Sequence, residues 1–464
     1  VVGWIVVYFL RSQTLVKGAA MYRVPRPSAS VLSVLLLVLF AVLRAGSGDG
    51  ATHLVKPDGT GDFPTIRAGI EAATAGDTLL LADGIFTGSG NRDVDYLGKA
   101  IVVRSESSIP HSCVLDCAYY PGFSFRSGEG PSSVLEAVKI RQAVGGIMCE
   151  ASSSPTIKNC VVDGDWHAWN GLSCTEGSSP AVLGCTFTRH SEGTMQSLGA
   201  SPSFAGCLFV YNVQPMYAES SSVSFTDCDF TGNWGDWLTG GAVHCRATDV
   251  VFSGCVFTDN EADGRPGGAV QCEGGGTSVF LQCVFEGNTA PRGGGIDVSD
   301  GPAPTLTECT FLANEGYSNG GGLYCLTDGP PSITGCTFTA NRAGNGGGLY
   351  TQAPEVSISG CTFYGNYTNG VYGGSGLLSW SRFDCDRTII AFGVHGRAVT
   401  SLETPMLSCC DVFGNGGGDW TDGIAGQQGV RGNFSQDPFF CDAEEEDLSL
   451  RSDSPCLPGK PPAR

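Results

Sequence analysis

Cys336-Thr337-Phe338-Thr339-Ala340-Asn341, followed by Gly346-Gly347-Gly348-Leu349, decides how the whole chain is read. The unit recurs. Cys255-Val256-Phe257 leads to Asn260 and Gly267-Gly268-Ala269-Val270. Cys283-Val284-Phe285 leads to Asn288 and Gly293-Gly294-Gly295-Ile296, and Cys309-Thr310-Phe311 leads to Asn314 and Gly320-Gly321-Gly322-Leu323. The leading cysteine returns at 160, 185, 207, 228, 255, 283, 309, 336, 361, 385 and 410, at gaps of 21 to 28 residues. A period of that size marks a solenoid, in which each repeat buries its apolar face only against its neighbours.

Within a unit the chain has room only for short extended pieces. Gly-Gly-Leu-Tyr-Cys alternates apolar and polar, Ser-Ile-Thr is a second run, Cys-Thr-Phe a third, and Gly, Pro, Asn and Ser punctuate between them. A helical repeat would carry apolar residues three and four apart over a dozen residues, and these units do not. Three strands in roughly 25 residues describe one coil of an all-β, right-handed parallel β-helix. Coils stack about 4.8 Å apart, so each repeat position becomes a column. Phe187, Phe209, Phe230, Phe257, Phe285, Phe311, Phe338 and Phe363 then form an inward aromatic stack. Asn212, Asn233, Asn260, Asn288, Asn314, Asn341, Asn366 and Asn415 form a turn column that can bond backbone and its own copies. The Cys385 coil loosens this register, with Arg387 where Phe is expected and Ile389-Ile390-Ala391-Phe392 taking the inward role.

Phe-x-x-Asn followed by Gly-Gly-(Ala/Gly)-(Val/Ile/Leu) resembles the repeat of chlamydial polymorphic membrane proteins. More broadly, residues 51–456 resemble bacterial exported β-helix repeat proteins of the pectate-lyase-like superfamily. That resemblance implies the fold. It implies no single activity, because lyases, hydrolases, esterases, tailspikes and adhesins share the superfamily.

The chain has 464 residues and a formal net charge of −20, and charged residues make up only 16% of it. Its first 48 residues hold five basic and no acidic residues, so a chain without them carries 21 basic against 46 acidic residues, or −25. Such a charge excludes nucleic acid as a partner and disfavours anionic membrane surfaces. Residues 1–48 read as an upstream segment and a secretory signal peptide starting at Met21. Arg23 and Arg26 precede an apolar stretch from Val31 to Leu43 that is too short to span a bilayer comfortably. The expected location is therefore secreted, or on the outer surface or in the periplasm of a bacterium, with no membrane span in the mature chain. Residues 49–100 read as an N-terminal cap. Ile66, Gly69, Ile70 and Ala73 share one face of a short helix over the open coil end. Coils fill 101–430, and 431–464 close the stack.

Export permits disulfides. Five coils carry a second cysteine 10 or 11 residues before the leading one, which gives Cys149–Cys160, Cys174–Cys185, Cys245–Cys255, Cys272–Cys283 and Cys325–Cys336 as possible in-coil bonds. The other reading is a column of buried thiols used as small apolar residues, and the 21 cysteines include several leading ones without such a partner.

The turn between Asn and Gly-Gly falls on one edge of the solenoid, where per-repeat insertions usually bind partners. It carries Trp166, Trp169, Trp234, Trp237, Tyr317 and Tyr367. Aromatic rings in a row suit stacking on sugar faces, or they fold back over their own loops. A second feature lies where the Asn column fails, at Asp165 and His190, with Asp163 and His167 nearby. Paired carboxylates there could act as acid and base on a glycosidic bond. Asp227, Asp229 and Asp236 could hold Ca²⁺, the one cofactor the sequence allows. The polygalacturonase Asn-Thr-Asp, Asp-Asp and Gly-His-Gly motifs are absent. The expectation is a surface or secreted protein that binds a carbohydrate or glycoconjugate without catalysis. A polysaccharide lyase or glycoside hydrolase is the alternative, and a structural surface fibre the third reading.

Overall fold

The structure, a computed structural model, describes residues 50–459 other than 168–169, 214–215, 237–239, 302, 371–372 and 446. Residues 50–459 belong to one compact unit. The signal-peptide reading of residues 1–48 lies outside the described residues.

The unit is a parallel β-solenoid. A first sheet of 15 strands runs from Thr52–Val55 to Met406–Ser408. A second of 14 runs from Gly84–Phe86 to Asp411–Phe413, and a third of 13 from Val94–Asp95 to Val399–Ser401. Each coil visits the first, the second and then the third sheet. A fourth sheet, absent from the sequence reading, stands between the second and third in six coils, from Trp234–Gly235 to Tyr367–Thr368. It occupies the stretches read from sequence as binding loops.

The Phe column is inward and stacked. Centroids from Phe187 to Phe363 are spaced 4.6 to 5.2 Å, with rings within 10° of parallel. A second stack, unforeseen, runs along the first sheet through Phe204, Phe225, Phe252 and Phe280. Its rings meet the first stack edge to face at 5.4 to 6.4 Å. Both geometries suit ring quadrupoles. Ile390 continues the Phe column after Phe363, as read from the sequence.

Each buried Asn completes a rung. Asn288 accepts from the backbone N–H and Nδ2 of Asn260 (3.0 and 2.9 Å) and donates to Asn314 Oδ1 and to the Phe257 carbonyl (both 2.9 Å). The ladder is unbroken from Asn212 to Asn366. It stops there because the next coil has Gly393, whose N–H still bonds Asn415.

Leading cysteines lie at the corner between first and second sheets, where each Sγ sits against the carbonyl two residues back at 3.2 to 3.6 Å. Cys385 does not belong to this column. It pairs with Ile358 and Leu407 on the first sheet, and Thr388 takes the corner, its hydroxyl donating to the Asp386 carbonyl at 3.0 Å. The five in-coil disulfides are not formed. Cys149, Cys174, Cys245, Cys272 and Cys325 lie on the third sheet, in a column shared with Ser197, Ala218, Val298 and Thr351. Their supposed partners Cys160, Cys185, Cys255, Cys283 and Cys336 lie at the opposite corner, and every cysteine is a free thiol.

The glycine signature is steric. Gly320 adopts φ 65°, and a Cβ on Gly321 would stand 2.3 Å from the Gly347 carbonyl of the next coil. At the N-terminal end the helix Ile66–Ala72 is capped by Thr65 and buries Ile66, Gly69 and Ile70. Lys99 Nζ donates to the carbonyls of Ile70, Glu71 and Ala73 at its C-terminus. The strand Thr52–Val55 precedes the helix and already belongs to the first sheet. At the other end Gln427 completes the exposed strand edge, accepting from Leu407 N–H and donating to the Pro405 carbonyl. An antiparallel pair, Phe440–Asp442 with Asp447–Leu450, follows. Among the described residues no helix is long and apolar enough to cross a membrane.

Candidate functional site

The carboxylates of the early coils are tied up. Asp163 is buried and bonded by Lys139 Nζ (2.9 Å), Arg189 Nε (3.0 Å) and a second Arg189 nitrogen. Although burial opposes it, these cations and the Asp165 N–H hold its carboxyl below the usual range. A carboxylate so neutralised is a poor proton carrier at neutral pH. Asp165 stands outside the ladder with a left-handed φ of 50°, accepting from Gln142 Nε2 at 3.1 Å. His190 is instead the first rung, its N–H and Nδ1 both within 3.2 Å of Asn212 Oδ1. Burial pushes its pKa down to about 4, which leaves it neutral. His167 is exposed on the turn beside Trp166.

Asp227 is exposed with φ 50°, at the corner before Cys228, and Asp229 is half-buried on the outer face of the second sheet. Asp236 is half-buried beyond the fourth-sheet strand Trp234–Gly235. Among the described residues no three His, Cys, Asp or Glu side chains converge as cation ligands would.

The rings are better placed. The outward column of the fourth sheet reads Trp234, Glu261, Thr289, Glu315, Arg342, Tyr367. The inward column is Gly235, Ala262, Ala290, Gly316, Ala343, Thr368. Small inward residues press this narrow sheet against the core, so its large side chains must stand outward. Trp234 is 41% and Tyr317 62% exposed. Tyr317 projects where the register of its strand shifts. The Arg342 guanidinium lies 4.7 Å over the Tyr367 ring, and Tyr367 meets His395 edge to face at 5.4 Å. A shallow pocket of ≈ 380 Å³ opens there between Tyr367, Asn369, His395 and Gly396. Trp166 is 48% exposed at an earlier turn. Trp169 and Trp237 lie outside the described residues.

Beside this ledge the third sheet carries a polar cluster not singled out from the sequence. Its outward column reads Tyr217, His244, Gln271, Asp297, Tyr324, Tyr350. His244, Gln271, Asp297, Tyr324 and Tyr350 are all buried. Asp297 accepts from Arg292 Nε (2.8 Å) and from Ser299 (2.6 Å), and burial pushes its pKa up to about 6. The Arg292 guanidinium also lies 4.5 Å over the Tyr324 ring, which stacks on Tyr350 at 5.1 Å. The signal was present in the sequence: His244 stands between inward Val243 and Cys245, and Asp297 between Ile296 and Val298. A titratable residue at that place in Gly-Gly-x-aliphatic-x faces out beneath the Gly-rich turn.

The family model of the right-handed β-helix region matches residues 145–311 and 292–434. The chain belongs to the right-handed β-helix family. None of the curated proteins matches it. Among solved structures it is similar to tailspike protein 3 of Bacteriophage CBA120, with 15% identity and a TM-score of 0.38 over 74% of this chain and 55% of that one. It thus spans about half of that tailspike. The pectate lyase Pel9A gives 14% identity and 0.33 over 88% of this β-helix chain and 91% of its own. The catalytic unit of the α-1,3-glucanase of Streptomyces thermodiastaticus gives 11% and 0.39 over 84% and 71%.

Proposed function

We propose that the β-helix is a non-catalytic glycan-binding region of an exported or surface protein, with the ligand lying along the fourth sheet. The observation that carries this reading is the row of Trp234, Tyr317 and Tyr367 on one narrow sheet whose inner face needs no rings. Trp234 and Tyr317 are exposed, while Tyr367 is half-buried under Arg342. Exposed rings lose their packing to water unless an apolar surface covers them, and a sugar offers both a flat C–H face and hydroxyls. Glu261, Glu315 and Arg342 between the rings supply hydrogen-bond partners. Hydrolysis or elimination by Asp163 and Asp165 finds no support in the geometry, because one is clamped by two cations and the other stands at the surface beside Arg189.

The test is a glycan array with wild-type protein and with Trp234→Ala/Tyr317→Ala/Tyr367→Ala. Wild-type protein binds a defined glycan set. The triple variant loses at least about tenfold in affinity, the loss of one good stacking contact, with its melting temperature little changed. A silent array, or equal binding by the variant, contradicts the proposal. Release of reducing ends or unsaturated products from any polysaccharide would make the chain an enzyme.

A further inference from the structure

Glu273 ends the third-sheet strand Val270–Glu273 and accepts two side-chain hydrogen bonds. His244 Nε2 meets Oε1 at 3.1 Å, and Gln271 Nε2 meets Oε2 at 3.2 Å. A carboxylate only accepts, so both assignments are fixed: His244 carries its proton on Nε2, and Gln271 turns its amide NH₂ toward Glu273. What remains is the Nδ1 lone pair of His244 and the Oε1 of Gln271. Both are acceptors, both are buried, and neither has a partner among the described residues. His244 is 4% and Gln271 1% exposed. They are register partners on adjacent coils, hence about 4.8 Å apart along the axis. An enclosed acceptor without a donor keeps the cost of its lost hydration, so two side by side favour a molecule that brings donors.

The surroundings agree with a neutral, donor-bearing occupant. Tyr217 of the preceding coil sets its ring edge to face with His244 at 5.3 Å, and its hydroxyl is spent on Glu219. Arg246 is 3.9 Å from Glu219, and Arg265 and Arg246 both act on the Glu273 charge. On the following coil Asp297 is occupied by Arg292 and Ser299. Among the described residues no further carboxylate, thiolate or imidazole joins the pair to make a cation site.

We propose that His244 and Gln271 form a hydrogen-bond-accepting subsite that takes a pair of hydroxyl donors from a sugar ring, with Glu273 holding both side chains in the accepting orientation. This rests on the glycan-binding reading for the identity of the ligand.

Nitrogen-15 NMR of histidine-labelled protein tests the subsite directly. The expected result at neutral pH is the Nε2–H tautomer for His244, with its Nδ1 resonance shifting on addition of methyl glycosides of the bound glycans. His244→Phe/Gln271→Met lowers their affinity about tenfold, the worth of roughly one hydrogen bond, while His244→Gln, which can still present an acceptor, loses less. A His244 found as the Nδ1–H tautomer or as imidazolium at neutral pH overturns the proposal. Unchanged affinity in the double variant does too, and is what a niche holding only an ordered water gives. Erythritol, a bare run of hydroxyls, separates the two claims. An Nδ1 shift with erythritol but no glycan binding retires the glycan reading and keeps the subsite. No shift with either removes the subsite.

Discussion

Asn288 uses every hydrogen-bonding atom of its side chain on buried partners above and below. Asn288→Ala therefore leaves the Asn260 N–H without its acceptor and removes the amide bonds to Asn260 Nδ2, Asn314 Oδ1 and the Phe257 carbonyl, although Asn260 Nδ2 keeps the Phe230 carbonyl and Asn314 Oδ1 keeps the backbone N–H of residue 288. The expected loss is about 2–4 kcal/mol in urea unfolding, from the loss of several buried hydrogen bonds. His190 occupies the same column without matching it. Its folded pKa of about 4 lies below the ordinary 6.5. Between those values the unfolded chain holds the extra proton, so this histidine costs stability as pH falls from 6.5 to 4, by up to about 3 kcal/mol. His190→Asn extends the ladder, and its melting temperature gains most near pH 4. Asp411 has the opposite sign. Buried beside Cys456, it is pushed up to about 7 from 3.8, so it stays protonated in the fold and costs stability as pH rises through that window. Asp411→Asn stabilises at pH 7.5 and is close to neutral at pH 4. Equal gains at both pH values would show that the carboxyl is not titrating.

The strands show what a sequence can disclose. Phe, Asn and Gly columns were legible because each side chain meets its own copies: rings must stack, amides must bond, and Gly321 has no room for a Cβ. Phe285→Ala opens a ring-sized hole between Phe257 and Phe311 and is expected to cost about 3–5 kcal/mol by calorimetry. Where columns mix residue types the signal fades. The first-sheet stack passes from Phe280 to Leu306 and on to Ile333, and so hid its four rings. The fourth sheet was hidden by its brevity, since strands such as Glu261–Ala262 and Tyr367–Thr368 have two residues and no alternation to read. Cys385 misled because a cysteine at nearly the right interval outweighed Thr388, whose hydroxyl fills the same place. No residue type repeats down the polar column from His244 to Asp297, so only its place after Gly-Gly-x-aliphatic marks it in the sequence.

Across residues 50–459 the cysteines follow from the solenoid itself. Stacked copies repeat the same side-chain direction at each coil, a geometry ill suited to the dihedral a disulfide needs. Two columns of small, weakly polar thiols fill the corner and the third sheet instead. Of the 21 cysteines, Cys409 and Cys441 are exposed and Cys456 half-buried. A thiol reagent is expected to label Cys409 and Cys441 in the native protein and the remainder only on unfolding, and reductant should leave the melting temperature unchanged. A fall on reduction would restore the in-coil pairings. At the same scale the coil stack sets ligand geometry. Trp234 and Tyr367 stand five coils apart on the fourth sheet, about 24 Å at the usual strand spacing, so the proposed glycan, to span both rings, has to be an extended chain rather than a single sugar.

Hydrogen–deuterium exchange with and without a glycan found on the array would map that contact in one experiment. Protection is expected in the coils from Trp234 to Tyr367, strongest in fourth-sheet strands and in Val243–Arg246 and Val270–Glu273 of the third. Protection confined to the coils around Asp163 and Asp165, or to the outer faces of the first and second sheets, would contradict binding along the fourth sheet.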